Sequence, residues 1–149
     1  MANYTTAADL TAYADARNIT LSTPVEAELN ALLTRAHDYI ESKQYQGSRT
    51  DSSQTDSWPR SGVYVDNILQ DSGVVPQGIK NAEMQTAIEI DNGFDPLAVV
   101  ERATKLEKVD VIEVEYLDNA SETYRLTSVN ALLRPYLKGA EAGNGLLRV

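Results

Sequence analysis

The segment Tyr45–Arg60, YQGSRTDSSQTDSWPR, determines how the rest of the chain is arranged, because it separates two long helical patterns. It contains the only tryptophan of the chain, Trp58, within a Trp-Pro-Arg triplet. A loop of this length inside a compact domain is usually functional or disordered. Because so large an apolar side chain seldom stays in water without a pocket or a partner, Trp58 predicts an ordered loop. We therefore expect the functional surface to lie close to this loop.

Composition predicts one globular domain, since the chain has 149 residues with 42% hydrophobic and 23% charged residues. The formal net charge of −9 disfavours passive attraction to nucleic-acid phosphates or anionic membranes. The absence of cysteine excludes disulfides and thiolate metal sites, and the single histidine, His37, excludes multi-histidine metal sites. The sequence has no membrane-spanning apolar run and does not begin with a signal sequence. We expect a soluble protein made in the cytoplasm, with no cofactor and no membrane partner.

Two helices are predicted before the loop. Thr5 or Thr6 is suited to cap a short first helix, which Asn18 ends. Thr23 followed by proline is a strong start signal for a second helix, which runs to about Lys43. The inward face of this second helix follows from its apolar spacing: Val25, Leu29, Leu32, Leu33, Ala36, Tyr39 and Ile40.

The loop is predicted to continue to about Val75, interrupted by an apolar cluster at residues 63–69 that anchors it to the core. Pro76 then opens a third helix, and Asn92-Gly93 ends it with a left-handed cap. The inward residues of the third helix are expected to be Ile79, Ala82, Met84, Ala87, Ile88 and Ile90.

The C-terminal third begins with a predicted strand at residues 109–117, VDVIEVEYL, for which residues 122–127 are the candidate partner strand. Ser128 is expected to cap a last helix that Pro135 kinks or shortens. The fold class is therefore mainly α: a small helical bundle with a long ordered loop at residues 45–75, a short β-hairpin at about residues 109–127 and an extended C-terminal tail. Residues 1–138 form the domain, and residues 139–149 form a flexible docking tail.

Catalytic motifs are absent from the sequence, which contains no nucleotide-binding glycine loop, nucleophile elbow, zinc-protease or calcium-loop pattern. His37 lies beside the apolar stripe of the second helix. We interpret it as a partly buried flanking residue, with a catalytic or pH-sensing role as the alternative. The acidic residues are scattered, as on a solvated surface. We predict that the protein is not an enzyme and has no catalytic residues.

A nucleic-acid clamp is one interpretation of the loop, because Arg49, Trp58, Arg60 and Tyr64 combine cations with aromatic rings. The rival interpretation places the two arginines in buried or interface ion pairs and Trp58 in a hydrophobic pocket. The net charge and the frequency of Trp and Arg at protein interfaces favour the second interpretation.

Several segments together resemble a known family: RAHDYIES, YQGSR, a spaced Gln54, WPRSGV, VPQGIKNAEMQTAIE, EKVDVIEVEYL and SVNALLRPYL. The resemblance covers about residues 31–137 and is to tailed-bacteriophage head-tail connector (adaptor) proteins, some of which are labelled DnaT-like single-stranded-DNA-binding proteins. Two sets of residues correspond to family features. The loop motif, expected at a subunit interface, comprises Gly47, Arg49, Gln54, Trp58, Pro59 and Arg60. The portal-docking tail comprises Leu146, Leu147, Arg148 and Val149.

The resemblance implies a structural virion protein of the neck between capsid and tail. Such a subunit forms a ring, typically of twelve copies, that binds the portal protein on one side and a stopper or tail-completion protein on the other. Double-stranded DNA passes through the lumen without specific binding, and an acidic wall suits this passage because it repels phosphates. The alternative hypothesis is a single-stranded-DNA-binding accessory protein of replication.

Overall fold

The computed structural model describes residues 2–97, 106–109, 112–115 and 126–139, the two middle ranges by their backbone only. The protein is a mainly helical small domain, which confirms the predicted fold class. Among the described residues, none of the helices combines the length and apolar character that crossing a bilayer requires. The helices are α1 (Ala7–Asp15), α2 (Glu26–Glu41), α3 (Gln77–Asp91) and α4 (Thr127–Leu133), with a 3₁₀ turn at Arg134–Tyr136.

Among the described residues, three short antiparallel strand pairs accompany the helices. Two of them lie in the segment that was predicted to be an irregular loop. Each of these two pairs consists of strands of only two residues. The pairs are β1 (Ser48–Arg49) with β2 (Arg60–Ser61), β3 (Tyr64–Val65) with β4 (Ile68–Leu69), and β5 (Leu106–Val109) with β6 (Ile112–Glu115).

The first two helices begin and end through local hydrogen bonds. Thr6 and Asp9 form a reciprocal capping box at the start of α1, as the sequence indicates, and Asn18 follows its end with a positive φ of 54°. The start of α2 differs from the prediction. The hydroxyl of Thr23 accepts a hydrogen bond from the Val25 N–H at 3.1 Å, so it closes a turn before the helix, which begins at Glu26.

The later helices follow their predicted boundaries closely. Helix α3 starts directly after Pro76 and ends at Asp91, and Gly93, two residues later, has the φ of +97° that gives the left-handed cap. Helix α4 begins one residue before the predicted cap, Ser128, and Leu126 at its N-cap makes no side-chain hydrogen bond. Pro135 lies in the 3₁₀ turn, which confirms that it shortens the last helix.

In the part of the chain that the structure describes, the core consists of two apolar clusters at opposite ends of the packed pair α2 and α3. These helices run antiparallel, since Ser22 before α2 bonds to Asp91 at the end of α3. The first cluster joins α1 to the pair through residues such as Leu10, Leu33 and Ala87. The second joins α4 and the loop to the other end of the pair: Ile40, Tyr45, Trp58, Val63, Ile79, Ala82, Leu126, Val129, Leu133 and Leu137.

The observed C-terminal hairpin has a different partner strand from the predicted one. Strand β6 pairs with the preceding segment, Leu106–Val109, with Leu106 opposite Glu115. The predicted partner strand falls on residues 122–125, outside the described residues, and on Leu126 and Thr127, where α4 begins. The predicted docking tail lies outside the described residues from position 140 onward.

Candidate functional site

Trp58 anchors the loop between β1 and β2, where only 2% of its surface is exposed. Its indole ring packs edge-on against two tyrosines, with centroid distances of 5.2 Å to Tyr45 and 5.7 Å to Tyr136. Tyr45 is itself fixed, because its hydroxyl donates to the Ile40 carbonyl at 2.7 Å. In the described part of the chain the indole N–H has no acceptor in hydrogen-bonding geometry, so the anchoring is apolar and aromatic. This confirms the pocket interpretation for Trp58.

Arg60 ties the two ends of the same loop together. Its guanidinium donates to three backbone carbonyls: Gln46 at 2.7 Å, Gly47 at 2.9 Å and Ser57 at 3.2 Å. Within the described residues the partners of Arg60 are therefore carbonyls and not a buried carboxylate, and an interface ion pair stays a prediction. Gly47 has a φ of +65°, and a Cβ there would lie 2.0 Å from the Ser61 carbonyl oxygen, so the backbone turn requires glycine.

The other members of the predicted loop motif divide into internal and exposed residues. Gln54 donates from its amide to the carbonyls of Asp56 and Pro59, both at 2.9 Å, and the Trp58–Pro59 peptide bond is cis. Arg49 is exposed on β1, opposite Arg60 in the ladder. The structure thus brings the motif together in one loop, where all of its members except Arg49 serve the conformation of the loop itself. A contact of the motif with a neighbouring subunit stays a prediction.

Beneath the loop lies a buried polar cluster that the apolar patterns did not predict, formed by Tyr4, Thr5, His37, Glu41, Asp56 and Glu83. Glu83 is 0% exposed in the middle of α3. Its carboxylate accepts hydrogen bonds from the Tyr4 N–H at 3.1 Å, the Thr5 hydroxyl at 2.5 Å and His37 Nδ1 at 2.8 Å. Three acceptor contacts balance the desolvation of this carboxylate and hold the N-terminal segment against α2 and α3.

Glu41 and Tyr4 extend the cluster to the loop. The Tyr4 hydroxyl donates to Glu41 and accepts from the Trp58 N–H at 3.2 Å. The other oxygen of Glu41 accepts from the Ser57 N–H at 2.7 Å. Burial and the neighbouring Glu41 raise the pKa of Tyr4 far above its ordinary value, so this hydroxyl keeps its proton as a donor.

His37 lies at the centre of the cluster with 2% of its surface exposed, more deeply than the predicted flanking position. Burial by itself lowers the pKa of His37. The hydrogen bond and charge of Glu83, the charge of Glu41 and the contact with Asp56 outweigh burial, so its pKa lies above the ordinary value. The surroundings therefore favour the positively charged ring.

His37, Glu41 and Asp56 each offer a ligand atom, all within 4.8 Å of one another, which is the pattern of a candidate cation site. These atoms already have partners inside the protein. Both Glu41 oxygens accept hydrogen bonds, and His37 Nε2 lies 3.5 Å from Asp56 Oδ1. The arrangement fits a hydrogen-bonded structural cluster better than a metal centre.

The sequence did carry one signal for this cluster. Glu83 is four residues after Ile79 and four before Ala87, so helical spacing places it on the apolar face of α3. An acidic residue on such a face requires a buried partner, and His37 is the corresponding polar residue beside the stripe of α2.

Comparison with known families gives a match that covers nearly the whole chain. Residues 2–149 match the family described as "Putative DnaT-like ssDNA binding protein". The chain belongs to this family. No curated protein matches the chain, and no solved structure does. This membership confirms the predicted resemblance to proteins labelled DnaT-like. The comparisons give no support for the resemblance to head-tail connector proteins.

Proposed function

We infer that this DnaT-like family member is a structural assembly subunit, and we propose the head-tail connector of a tailed phage as its specific role. The observation that carries this inference is an exposed apolar surface on the β3–β4 hairpin. We call this surface the hairpin patch and define it as Tyr64, Ile68 and Leu69, which are 53%, 67% and 57% exposed. Tyr64 and Leu69 are paired across the ladder and share one face of the hairpin, while Ile68 lies on the other face. Exposed apolar side chains grouped on one hairpin are typical of protein-protein contact sites.

The hairpin patch is held rigidly rather than presented on a loose loop. Asp66 and Asn67 both have positive φ, 52° and 64°, which is the conformation of a tight two-residue hairpin turn. Gln46 fixes the hairpin to the end of the helical domain. Its side-chain oxygen accepts from the Tyr64 N–H at 3.2 Å, and its amide donates to the Pro135 carbonyl at 2.7 Å. A preorganised patch loses little conformational entropy on binding.

We propose a neighbouring copy of the same chain as the partner of the hairpin patch, within the ring that the resemblance implies. The edge of a short two-stranded hairpin is a place where a second chain can add a strand. The net charge of −9, repeated around a lumen, supplies a wall that DNA slides past without binding. The portal protein, a stopper or tail-completion protein and a location in the neck of the virion belong to the same proposal.

Replacing Ile68 and Leu69 together by aspartate is expected to weaken self-association at least about tenfold, since each substitution puts a charge in place of an exposed apolar side chain of the patch. Sedimentation velocity over a concentration series measures the association. Val25→Asp is the matched control, because Val25 is also 50% exposed but lies at the far end of α2. Equal association of the double variant and the control, or unchanged association of both, contradicts the role of the patch.

A deletion in the C-terminal segment of the chain tests the connector role itself. Deleting residues 143–149 is expected to abolish attachment to portal-bearing heads while leaving the unfolding temperature unchanged. Normal tail joining by the truncated chain, in a complementation assay with heads that lack the full-length chain, overturns this role.

Single-stranded-DNA binding is the second candidate, and the family description favours it over the connector role. The loop geometry does not favour the predicted clamp, because Trp58 is buried and Arg60 binds backbone carbonyls. Arg49 and Tyr64 remain exposed for such a contact. If DNA binding is the function, a labelled oligothymidine should bind with an affinity that falls steeply with salt, and Arg49→Ala should weaken it. The absence of an anisotropy change at low salt excludes this candidate.

A further inference from the structure

His37 is placed between two carboxylates that come from different parts of the fold. Nδ1 lies 2.8 Å from Glu83 Oε1 on α3, and Nε2 lies 3.5 Å from Asp56 Oδ1 in the loop. A neutral imidazole has one N–H donor and one lone pair, so only the doubly protonated ring donates to both carboxylates. The two contacts together therefore favour the imidazolium.

The groups that face His37 are otherwise acidic or neutral. Glu41, one turn along α2, adds a third carboxylate, and the Tyr4 ring lies 4.6 Å away between centroids. Both ion pairs of the cluster among the described residues involve His37. The imidazolium thus supplies the positive charge that offsets the negative charges of Glu83, Glu41 and Asp56.

We propose that His37 is a proton-dependent latch that holds Asp56, and with it the tip of the loop before Trp58, against α2 and α3. When the ring loses a proton, the shorter contact with Glu83 keeps the remaining N–H on Nδ1. The lone pair on Nε2 then faces a carboxylate oxygen of Asp56, and the attraction becomes a repulsion. Asp56 is released, while the buried Trp58 ring keeps the end of the loop in place.

The direction of the pH effect follows from the groups around the ring. The pKa of His37 is higher in the folded protein than its ordinary value, so the latch is complete below that ordinary value. Its contribution is lost as pH rises through the folded pKa. The loop is therefore held at mildly acidic pH and loosens as pH rises through the folded pKa. This inference does not depend on which partner the protein binds.

The single histidine makes the latch directly measurable on the full-length chain by long-range ¹H–¹⁵N NMR. We expect both ring nitrogens to show imidazolium shifts at pH 6.5 and a titration midpoint above that pH. Hydrogen-exchange protection of the Ser57 amide, which donates to Glu41, is expected to fall across the same midpoint. Asp56→Asn removes one facing charge and should lower the midpoint by about 0.5–1 pH unit.

Two further variants separate the latch from a general effect of pH. His37→Gln should remove the pH dependence of Ser57 protection, and Asp51→Asn, at an exposed position of the same loop, should leave the midpoint unchanged. A neutral ring at pH 6.5, a midpoint that Asp56→Asn does not move, or pH-independent Ser57 protection overturns the proposal. Tight Zn²⁺ binding with loss of the free Nε2 signal also overturns it, because Nε2 would then be a metal ligand.

Discussion

Replacing Trp58 by alanine is expected to lower the free energy of unfolding by about 3–5 kcal/mol, the cost of removing a buried large aromatic side chain. The ring is 2% exposed and joins the loop to Tyr45 and Tyr136, so its loss leaves a cavity where α4, α2 and the loop meet. Guanidinium unfolding of the variant measures the change. Because the loop conformation depends on this side chain, protease cleavage within residues 48–57 should also accelerate.

Two matched variants define the origin of this loss. Trp58→Phe keeps an aromatic ring in the pocket and gives up no hydrogen bond, since the indole N–H has no acceptor among the described residues. It should therefore cost clearly less than alanine. Tyr64→Ala, at an exposed aromatic position of the neighbouring hairpin, should change stability by less than about 0.5 kcal/mol. A loss below about 1 kcal/mol for Trp58→Ala would mean that the ring is available at the surface.

Replacing Glu83 by alanine is expected to lower the free energy of unfolding by about 3–5 kcal/mol, because removal of one member of a buried ion pair leaves the other uncompensated. His37 would lose its closest carboxylate, and the Tyr4 N–H and Thr5 hydroxyl would lose their acceptor. Thermal and denaturant unfolding measure the stability. Hydrogen exchange at residues 4–6 reports whether the N-terminal segment detaches.

The control for Glu83 is Glu28→Ala, at an exposed position of α2. It should cost no more than about 0.5 kcal/mol, as for most surface substitutions. Glu83→Gln retains acceptor capacity and should have an intermediate effect. If Glu83→Ala and Glu28→Ala are equally mild, the cluster does not hold the N-terminal segment, and the structural account of this region is wrong.

The helical part of the fold could be predicted because its signals are local. Thr6 with Asp9, Pro76 at the start of α3 and Gly93 at its end each fix a boundary through hydrogen bonds or backbone conformation within a few residues. Their effects do not depend on distant parts of the chain. The start of α2 was missed by a few residues because a threonine hydroxyl can close a turn as readily as it caps a helix.

The loop and the polar cluster were predicted less well because their contacts join distant positions. Trp58 was expected in a pocket, but its partner Tyr136 is far along the sequence, and Arg60 was assigned carboxylate partners although it binds carbonyls. Glu83 was not singled out in the sequence, because helical periodicity counts a carboxylate as polar. Its burial is explained by its contacts with His37 on the facing helix and with Tyr4 and Thr5 of the N-terminal segment. Pairings of this kind are set by tertiary packing, which no local pattern reports.

The most direct test of the proposed assembly role is to quantify this chain by mass spectrometry in gradient-purified phage particles made by cells that carry its gene. The account predicts that the chain co-purifies with the particles in a fixed ratio to the portal protein. If the two rings have the same number of subunits, this ratio is close to one. Absence from particles, together with recovery of the chain on single-stranded DNA from the same cells, would contradict it and establish the DNA-binding alternative.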